Sequence, residues 1–436
     1  MRRATYTLVL CLLAPLVWVW MWHRARRAGG YWGILSRARF GWADPRSPDP
    51  FATPPVWVHA VSLGETRAAQ PLLQALLNRG LPVLLTHTTA TGRAEGARLF
   101  PEAIASGQLR QTWLPYDFPG AARRFLMRYQ PRCGLLIERE VWPNLLAQAR
   151  AQGIHMALVS ARFSASSLRQ AKWMGRVLRE ALGGLDQVLA QTSEDAQRLG
   201  QAGARHVSVT GNLKFDLQLS SAQCDAGHVW RQALGRPVIA IASTREGEDA
   251  LFVQEIKATL AHTHANAPLY LLIPRHPQRF DMVEQQLRTA GLTYVRRSQL
   301  HDVAAPLQDA DTDVLLGDSL GEMAFYYAAA DVVIVAGSFL PFGGQNLIEA
   351  CAAGDPVIIG PHTFNFKQAA NDAVKACAAC RVPDVPQAIR TALALLHDES
   401  RRVTMSRAAK NWAAQHTGAT ERTLQALEVV FFRHKN

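Results

Sequence analysis

Short apolar runs alternate with helix-length amphipathic stretches over most of this chain. Between residues 56 and 209 the runs fall at 56–61, 82–85, 133–137, 155–159, 187–190 and 206–209. Each is followed by a turn and then by apolar positions spaced three and four apart. That pattern predicts a parallel sheet, because strands buried on both faces read as continuous apolar stretches and need crossover helices between them. Around residues 216–236 the alternation lapses into a polar connector. It restarts with runs at 237–242, 269–273, 314–316, 332–335 and 356–359, and residues 385–433 read as helix only. The expected architecture is α/β: two doubly wound, Rossmann-like halves facing a cleft, with a helical tail on the second.

The first fifty residues follow a different rule. From Thr5 to Trp22 there are eighteen residues without a charge, closing on Trp18, Trp20 and Trp22. A helix of that length reaches about 27 Å, enough to cross a thin hydrocarbon core. A cleaved signal peptide is the rival reading, but no small-residue cleavage site follows; His23, Arg24, Arg26 and Arg27 come instead. Tryptophan at a boundary followed by arginine is an anchor pattern, and the excess of arginine after the segment places the bulk of the protein in the cytoplasm. A helix lying in the interface is the open variant. Residues 41–55, rich in proline, then separate the anchor from the α/β body. The resulting division is 1–28 anchor, 29–55 linker, 56–216 first domain, 217–236 connector and 237–436 second domain.

Composition narrows the class. Over 436 residues, 48% hydrophobic, the chain buries a substantial core, which excludes a disordered chain, a disulfide miniprotein and a polytopic transporter. The net charge is +12, and half of that excess sits in residues 1–50, with eight Arg against two Asp. Such crowding points to an anionic membrane surface rather than nucleic acid. Cys11 lies in the anchor, and Cys133, Cys224 and Cys351 have no partner spacing. Cys377 and Cys380 form an isolated C-x-x-C near a helix end, expected to be two small buried thiols.

Open parallel sheets bind ligands at the carboxyl ends of their strands, and the polar chemistry of this chain collects there. In the first half it comprises Ser62-Leu63-Gly64-Glu65, Glu138-Arg139-Glu140 and Asn212-Leu213-Lys214-Phe215-Asp216. In the second it comprises Ser243 to Glu248, Pro274-Arg275-His276-Pro277, Asp318-Ser319-Leu320-Gly321-Glu322 and Gly343-Gly344-Gln345-Asn346-Leu347-Ile348-Glu349.

These residues carry a resemblance. Together with His59-Ala60-Val61, Leu114-Pro115-Tyr116-Asp117, Trp142-Pro143-Asn144 and Gly360 to Lys367, they are similar to the 3-deoxy-D-manno-octulosonic acid (Kdo) transferases of lipopolysaccharide synthesis, inverting glycosyltransferases of GT-B fold. The resemblance implies Glu65 as general base toward an acceptor hydroxyl, with Glu138 and Lys214 stabilising the transition state and Glu140 in support. It implies a CMP site built from Pro274, Arg275, Leu320, Gly321, Glu322, Asn346, Leu347, Ile348 and Glu349. Three positions depart from the family pattern: Arg139 stands for Thr, and Arg245 and Gln345 each stand for His.

The partners implied are CMP-Kdo, a lipid A precursor and the cytoplasmic surface of the inner membrane. No cofactor or metal is expected, because the sugar donor already carries a monophosphate leaving group; His262 and His264, two apart in a polar turn, do not make a site. For the acceptor, Arg162, Arg169, Lys172 and Arg176 offer cations beside Phe163 and Trp173, with Arg169, Lys172 and Arg176 expected on one helical face. Two other readings stay open: a GT-B transferase for another activated sugar, and a non-catalytic protein that kept the fold.

Overall fold

The computed structural model describes residues 1–30, 32–42, 51–261, 267–300 and 311–428. His262 and His264 therefore lie outside the described residues, as do 43–50 of the proline-rich stretch and 429–433 of the tail.

The strands are β1 (Val56–His59), β2 (Val83–His87), β3 (Leu109–Trp113), β4 (Cys133–Ile137), β5 (His155–Ala161), β6 (Gln187–Ala190) and β7 (Val207–Val209) in the first half. The second half has β8 (Val238–Thr244), β9 (Leu269–Pro274), β10 (Tyr294–Arg296), β11 (Val314–Leu316), β12 (Val332–Val335), β13 (Val357–Ile359) and β14 (Ala379–Arg381). They form two parallel sheets, ordered β3-β2-β1-β4-β5-β6-β7 and β10-β11-β9-β8-β12-β13-β14. In each, the first strand of the half sits centrally and the order reverses beside it. That is the switch point at which doubly wound sheets open a crevice for ligand. The central strands β1, β4 and β12 are buried at every position and β8 at all but Ser243, consistent with helices on both faces.

Three strands lie beyond the apolar runs: β3, β10 and β14. All three are sheet edges, and their sequences Leu-Arg-Gln-Thr-Trp, Tyr-Val-Arg and Ala-Cys-Arg are only half apolar. An edge strand is covered less completely, so it lacks the continuous signal. Cys377 follows the helix Lys367–Lys375 and is exposed, while Cys380 lies in β14 and is partly buried, so the pair is not the two buried thiols expected.

The chain divides into two compact units, one of Met1–Leu217 together with the segment from Thr417 onward, the other of Gln218–His416. Two expectations change here. The segment expected as a polar connector contains the helix Ser221–Leu234, with Trp230 buried against Phe325 of the second unit. The last helix, Ala419–Leu427, leaves the second half and returns to the first. It buries Ala419, Leu424 and Leu427 in the same core as Val56, Leu72, Leu135 and Val159. Asp216 accepts the backbone N–H groups of Gly418 and Thr420 at 2.6 and 2.5 Å, capping that helix from 200 residues away in sequence.

The N-terminal segment is part of the first unit as well. Its apolar helix, Arg3–Ala28, rests on the α/β body, with the Tyr6 hydroxyl donating to Asp117 at 2.9 Å and Trp18 stacked edge-on against Phe40. What was expected as a bare linker carries the short 3-10 turn Arg37–Phe40. Arg39 is buried there, its guanidinium donating to the carbonyls of Leu114, Trp32 and Thr88 and lying 4.6 Å from the Trp113 ring. Burial, and Arg93 nearby, lower Arg39 to about 10, which leaves it charged at neutral pH.

Candidate functional site

In the first unit three strand ends converge. β1 runs into the turn Val61-Ser62 and the helix Leu63–Asn78, which places Glu65 in the first helical turn. The Glu65 carboxylate accepts the Val61 N–H at 2.6 Å, so the side chain folds back over the strand end. Burial pushes the Glu65 carboxyl up to about 8, and the carboxylates of Glu140 and Glu138 push it the same way. An acid raised to that value keeps its proton at neutral pH and becomes a stronger base than an ordinary carboxylate once it ionises as the pH approaches 8.

Glu138 follows β4 with φ +62°, a left-handed conformation that costs a β-carbon residue energy and collects at working sites. Two backbone hydrogen bonds hold it: its N–H donates to Val159, and Arg162 donates to its carbonyl. The side chain is buried, and Lys214 reaches it at 2.6 Å from the 3-10 turn Leu213–Asp216. Burial works to raise the Glu138 carboxyl, yet Lys214, with Arg162 and Arg139 beyond, holds it below the usual carboxylate range. Glu138 is thus ionised and paired where Glu65 is poised to exchange a proton. Neighbouring acids driven in opposite directions are the usual sign of divided catalytic roles.

Glu140 accepts from the Trp142 indole at 2.9 Å and stands 3.6 Å from Nε2 of His59, a fully buried ring whose Nδ1 meets Thr86 at 2.9 Å. His59 was legible only as a motif letter; its buried Nε2 faces Glu140 at a distance too long for a hydrogen bond. Arg139, which departs from the family pattern, is exposed between the two acids, where its charge favours the ionised form of Glu138.

In the second unit the expected residues also end strands. Pro274 closes β9, and the Arg275 N–H donates to Thr244 at the end of β8. His276 is lowered to about 4 by burial and by Arg245, Arg275 and Arg279, so it is neutral within a basic cluster. After β11, Leu320 is 70% exposed, Gly321 turns at φ +84°, and Glu322 pairs with Arg297 at 2.9 Å. Asn346 donates to Glu349 at 2.8 Å, fixing that acid at the start of the helix Ile348–Ala353. Leu347 and Ile348 are buried in the core.

Glu248 was missed. Fully buried, its carboxylate accepts the N–H groups of Arg245, Gly337, Phe339 and Leu340 at 2.7–3.2 Å. It pins the loop after β12 that leads through Gly343 and Gly344 to Gln345 and Asn346. Gln345 packs against Gly337, where a β-carbon would stand 2.8 Å from its Cγ, so this family departure fills a structural contact.

The acceptor residues are rearranged. The one helix expected to carry Arg169, Lys172 and Arg176 is two, Ala165–Met174 and Arg176–Gly183, broken at Gly175 with φ +63°. Arg176 lies beyond the break and pairs with Glu180, so the three cations do not share a helical face. Arg169 and Lys172 remain on the first helix beside Trp173, which is 81% exposed, and Arg162 sits apart in the electrostatic range of Glu138.

Solved structures share this architecture across most of the chain. A glycosyltransferase from Rickettsia africae superposes at a TM-score of 0.59 over 88% of this chain and 100% of its own, at 12% identity. A UDP-N-acetylglucosamine 2-epimerase does so at 0.58 over 88% and 98%, at 14% identity. The two sheets define the GT-B class. Residues 36–217 match the family model described as 3-deoxy-D-manno-octulosonic-acid transferase (kdotransferase). The 3-deoxy-D-manno-octulosonic acid transferase of Bordetella pertussis is 68% identical over 98% of this chain and 99% of its own. That of Haemophilus influenzae is 30% identical over 98% of each. The chain belongs to the Kdo transferase family, and it is a glycosyltransferase.

Proposed function

We propose that this transferase takes its sugar from CMP-Kdo and delivers it to a lipid A precursor, lipid IVA, by a single inverting displacement. The observation that carries the reading is the first-unit cluster, with Glu65 raised to about 8 beside an ionised Glu138–Lys214 pair. Glu65 removes the proton from the acceptor hydroxyl as its oxygen attacks the anomeric carbon, and CMP leaves with the bonding electrons. Lys214, held by Glu138, offers a fixed positive charge to the donor's carboxylate or departing phosphate. Arg275 and the backbone at Pro274 hold the nucleotide phosphate, the turn at Leu320, Gly321 and Glu322 holds the base, and Glu349, oriented by Asn346, takes the ribose hydroxyls. The monophosphate leaving group needs no divalent ion. Arg162, Arg169 and Lys172 supply charge for acceptor phosphates. The apolar N-terminal helix keeps the enzyme on the cytoplasmic face of the inner membrane, where both the soluble donor and the lipid are within reach.

Purified protein incubated with CMP-Kdo and lipid IVA should release CMP and yield a Kdo-bearing lipid whose anomeric configuration is opposite to the donor's, read by mass spectrometry and NMR. Turnover of the lipid with another activated sugar and none with CMP-Kdo would overturn the donor assignment.

A further inference from the structure

The N-terminal helix touches the first unit along one stripe and nearly its whole length. Tyr6, Leu10, Ala14, Trp18, Met21 and Ala25 recur every three or four residues and are buried or half-buried, with Ala14 and Met21 at 5% and 6% exposure. Their partners belong to the body. The Met1 carbonyl accepts the Val177 N–H at 3.0 Å, and Tyr6 donates to Asp117. Thr7 and Asn144 exchange hydrogen bonds at 2.9 and 3.1 Å. Trp18 lies 5.7 Å from the Tyr116 ring, and the Tyr116 hydroxyl reaches Met21. From Tyr6 to Met21 these contacts span about 22 Å of helix axis.

That contact line conflicts with a helix that crosses a bilayer. Were it to stand upright through a core of about 30 Å, Asp117, Asn144 and the backbone at Val177 would be carried into hydrocarbon beside it. Asp117 is an acid whose carboxylate accepts N–H groups from Asn144 and Leu145 at the start of the helix Pro143–Ala151. Taking such a group and its polar surroundings out of water into hydrocarbon is strongly unfavourable.

The opposite face of the helix answers what the lipid contacts. Leu8, Leu12, Leu16 and Val19 lie about half a turn from the docking stripe, all exposed, with Leu12 at 69%. Arg2 and Arg3 at one end and Arg24 and Arg26 at the other are exposed too. Gly175, where the two acceptor-side helices break, would place a β-carbon 3.2 Å from the Met1 nitrogen. The adjoining helix adds exposed Trp173 and Lys172 near the same end. A continuous apolar ridge with cations at its ends and tryptophan near its rim is the composition of an element lying in one leaflet.

We infer that the N-terminal helix is monotopic: it lies in the plane of the membrane, docked by one face on the first unit and immersed by the other in an anionic leaflet. This rests on the reading of the helix as the membrane attachment and deepens it. Chain start and catalytic body then share one side of the membrane, whereas a crossing helix would separate them.

The test uses the full-length enzyme with an Ala4→Cys substitution and, separately, an N-terminal epitope. Intact spheroplasts and inverted inner-membrane vesicles are probed with an impermeant maleimide and with protease. Residue 4 and the epitope should be reached only in inverted vesicles, together with the catalytic body. Labelling in intact spheroplasts with the body protected would overturn the in-plane placement and leave the membrane attachment standing. Protein found wholly in the soluble fraction would overturn the attachment itself. As a second measurement, Leu12→Asp should at least halve the fraction of enzyme that floats with phosphatidylethanolamine–phosphatidylglycerol vesicles, while activity on detergent-dispersed acceptor persists. Unchanged flotation in that variant would remove the exposed face from the lipid contact.

Discussion

At the scale of single residues, Glu65 carries a conflict between stability and chemistry. In the unfolded chain its carboxyl titrates near 4.5, and in the folded one near 8. A folded value above the unfolded one means that folding takes up a proton between the two. Its contribution is therefore present below about pH 4.5 and lost as the pH rises through 8. Glu65→Gln should abolish the dependence, so the variant gains stability over the parent as the pH rises from 5 to 9, measured by Tm at both ends. The same substitution should lower transfer by about 10²–10⁴-fold. In the parent, kcat/KM should climb with pH and level off near 8, because that ratio reports the free enzyme. A limb near 4.5 would mean that Glu65 is an ordinary surface acid. Glu65, Glu138 and Lys214 were all legible as residues in a recognised order. Their protonation was not: it depends on burial and on which carboxylate Lys214 meets, and those are properties of the folded cluster.

Among the elements, legibility followed the continuity of the apolar run, so that even the exposed edge strand β7 was readable. Every strand with apolar positions on both faces was readable to within two residues at its ends, while β3, β10 and β14 were hidden by half-polar edge sequences. The common helix expected for Arg169, Lys172 and Arg176 is broken because Gly175 between them turns the chain at φ +63°. The Glu248 clamp was invisible for another reason. An acid in the first turn of a helix reads as a dipole partner, and nothing local shows that its oxygens reach a loop 90 residues later. Glu248→Ala should leave the N–H groups of Gly337 and Phe339 without acceptors in a buried place. The expected cost is about 2 kcal/mol or more in a urea unfolding experiment. Because that loop leads into Asn346 and Glu349, the donor KM should rise further than the acceptor KM. Equal changes in both would mean general loosening rather than a loop held for the donor.

On the scale of the whole molecule, the chain does not finish where its order suggests. An amphipathic tail announces that one face is buried but not what buries it. Here the last helix closes the core of the first unit, contributing Leu424 and Leu427 beside strands laid down some 300 residues earlier. Asp216, at the end of that unit's own chain, caps the returning helix, so the closing contact is fixed from both partners. Burying two leucines contributes roughly 3–6 kcal/mol, and losing the tail would also leave Asp216 without the N–H groups it caps. A chain ending at His416 should therefore lose stability in its first unit while the second keeps its own sheet intact. Hydrogen exchange resolved by peptide separates the two. Amides of β1 and β4 should exchange faster in the truncated protein, and those of β8 and β12 should be unaltered. Faster exchange confined to β8 and β12 would assign the tail to the second unit, as the order of the chain alone suggests.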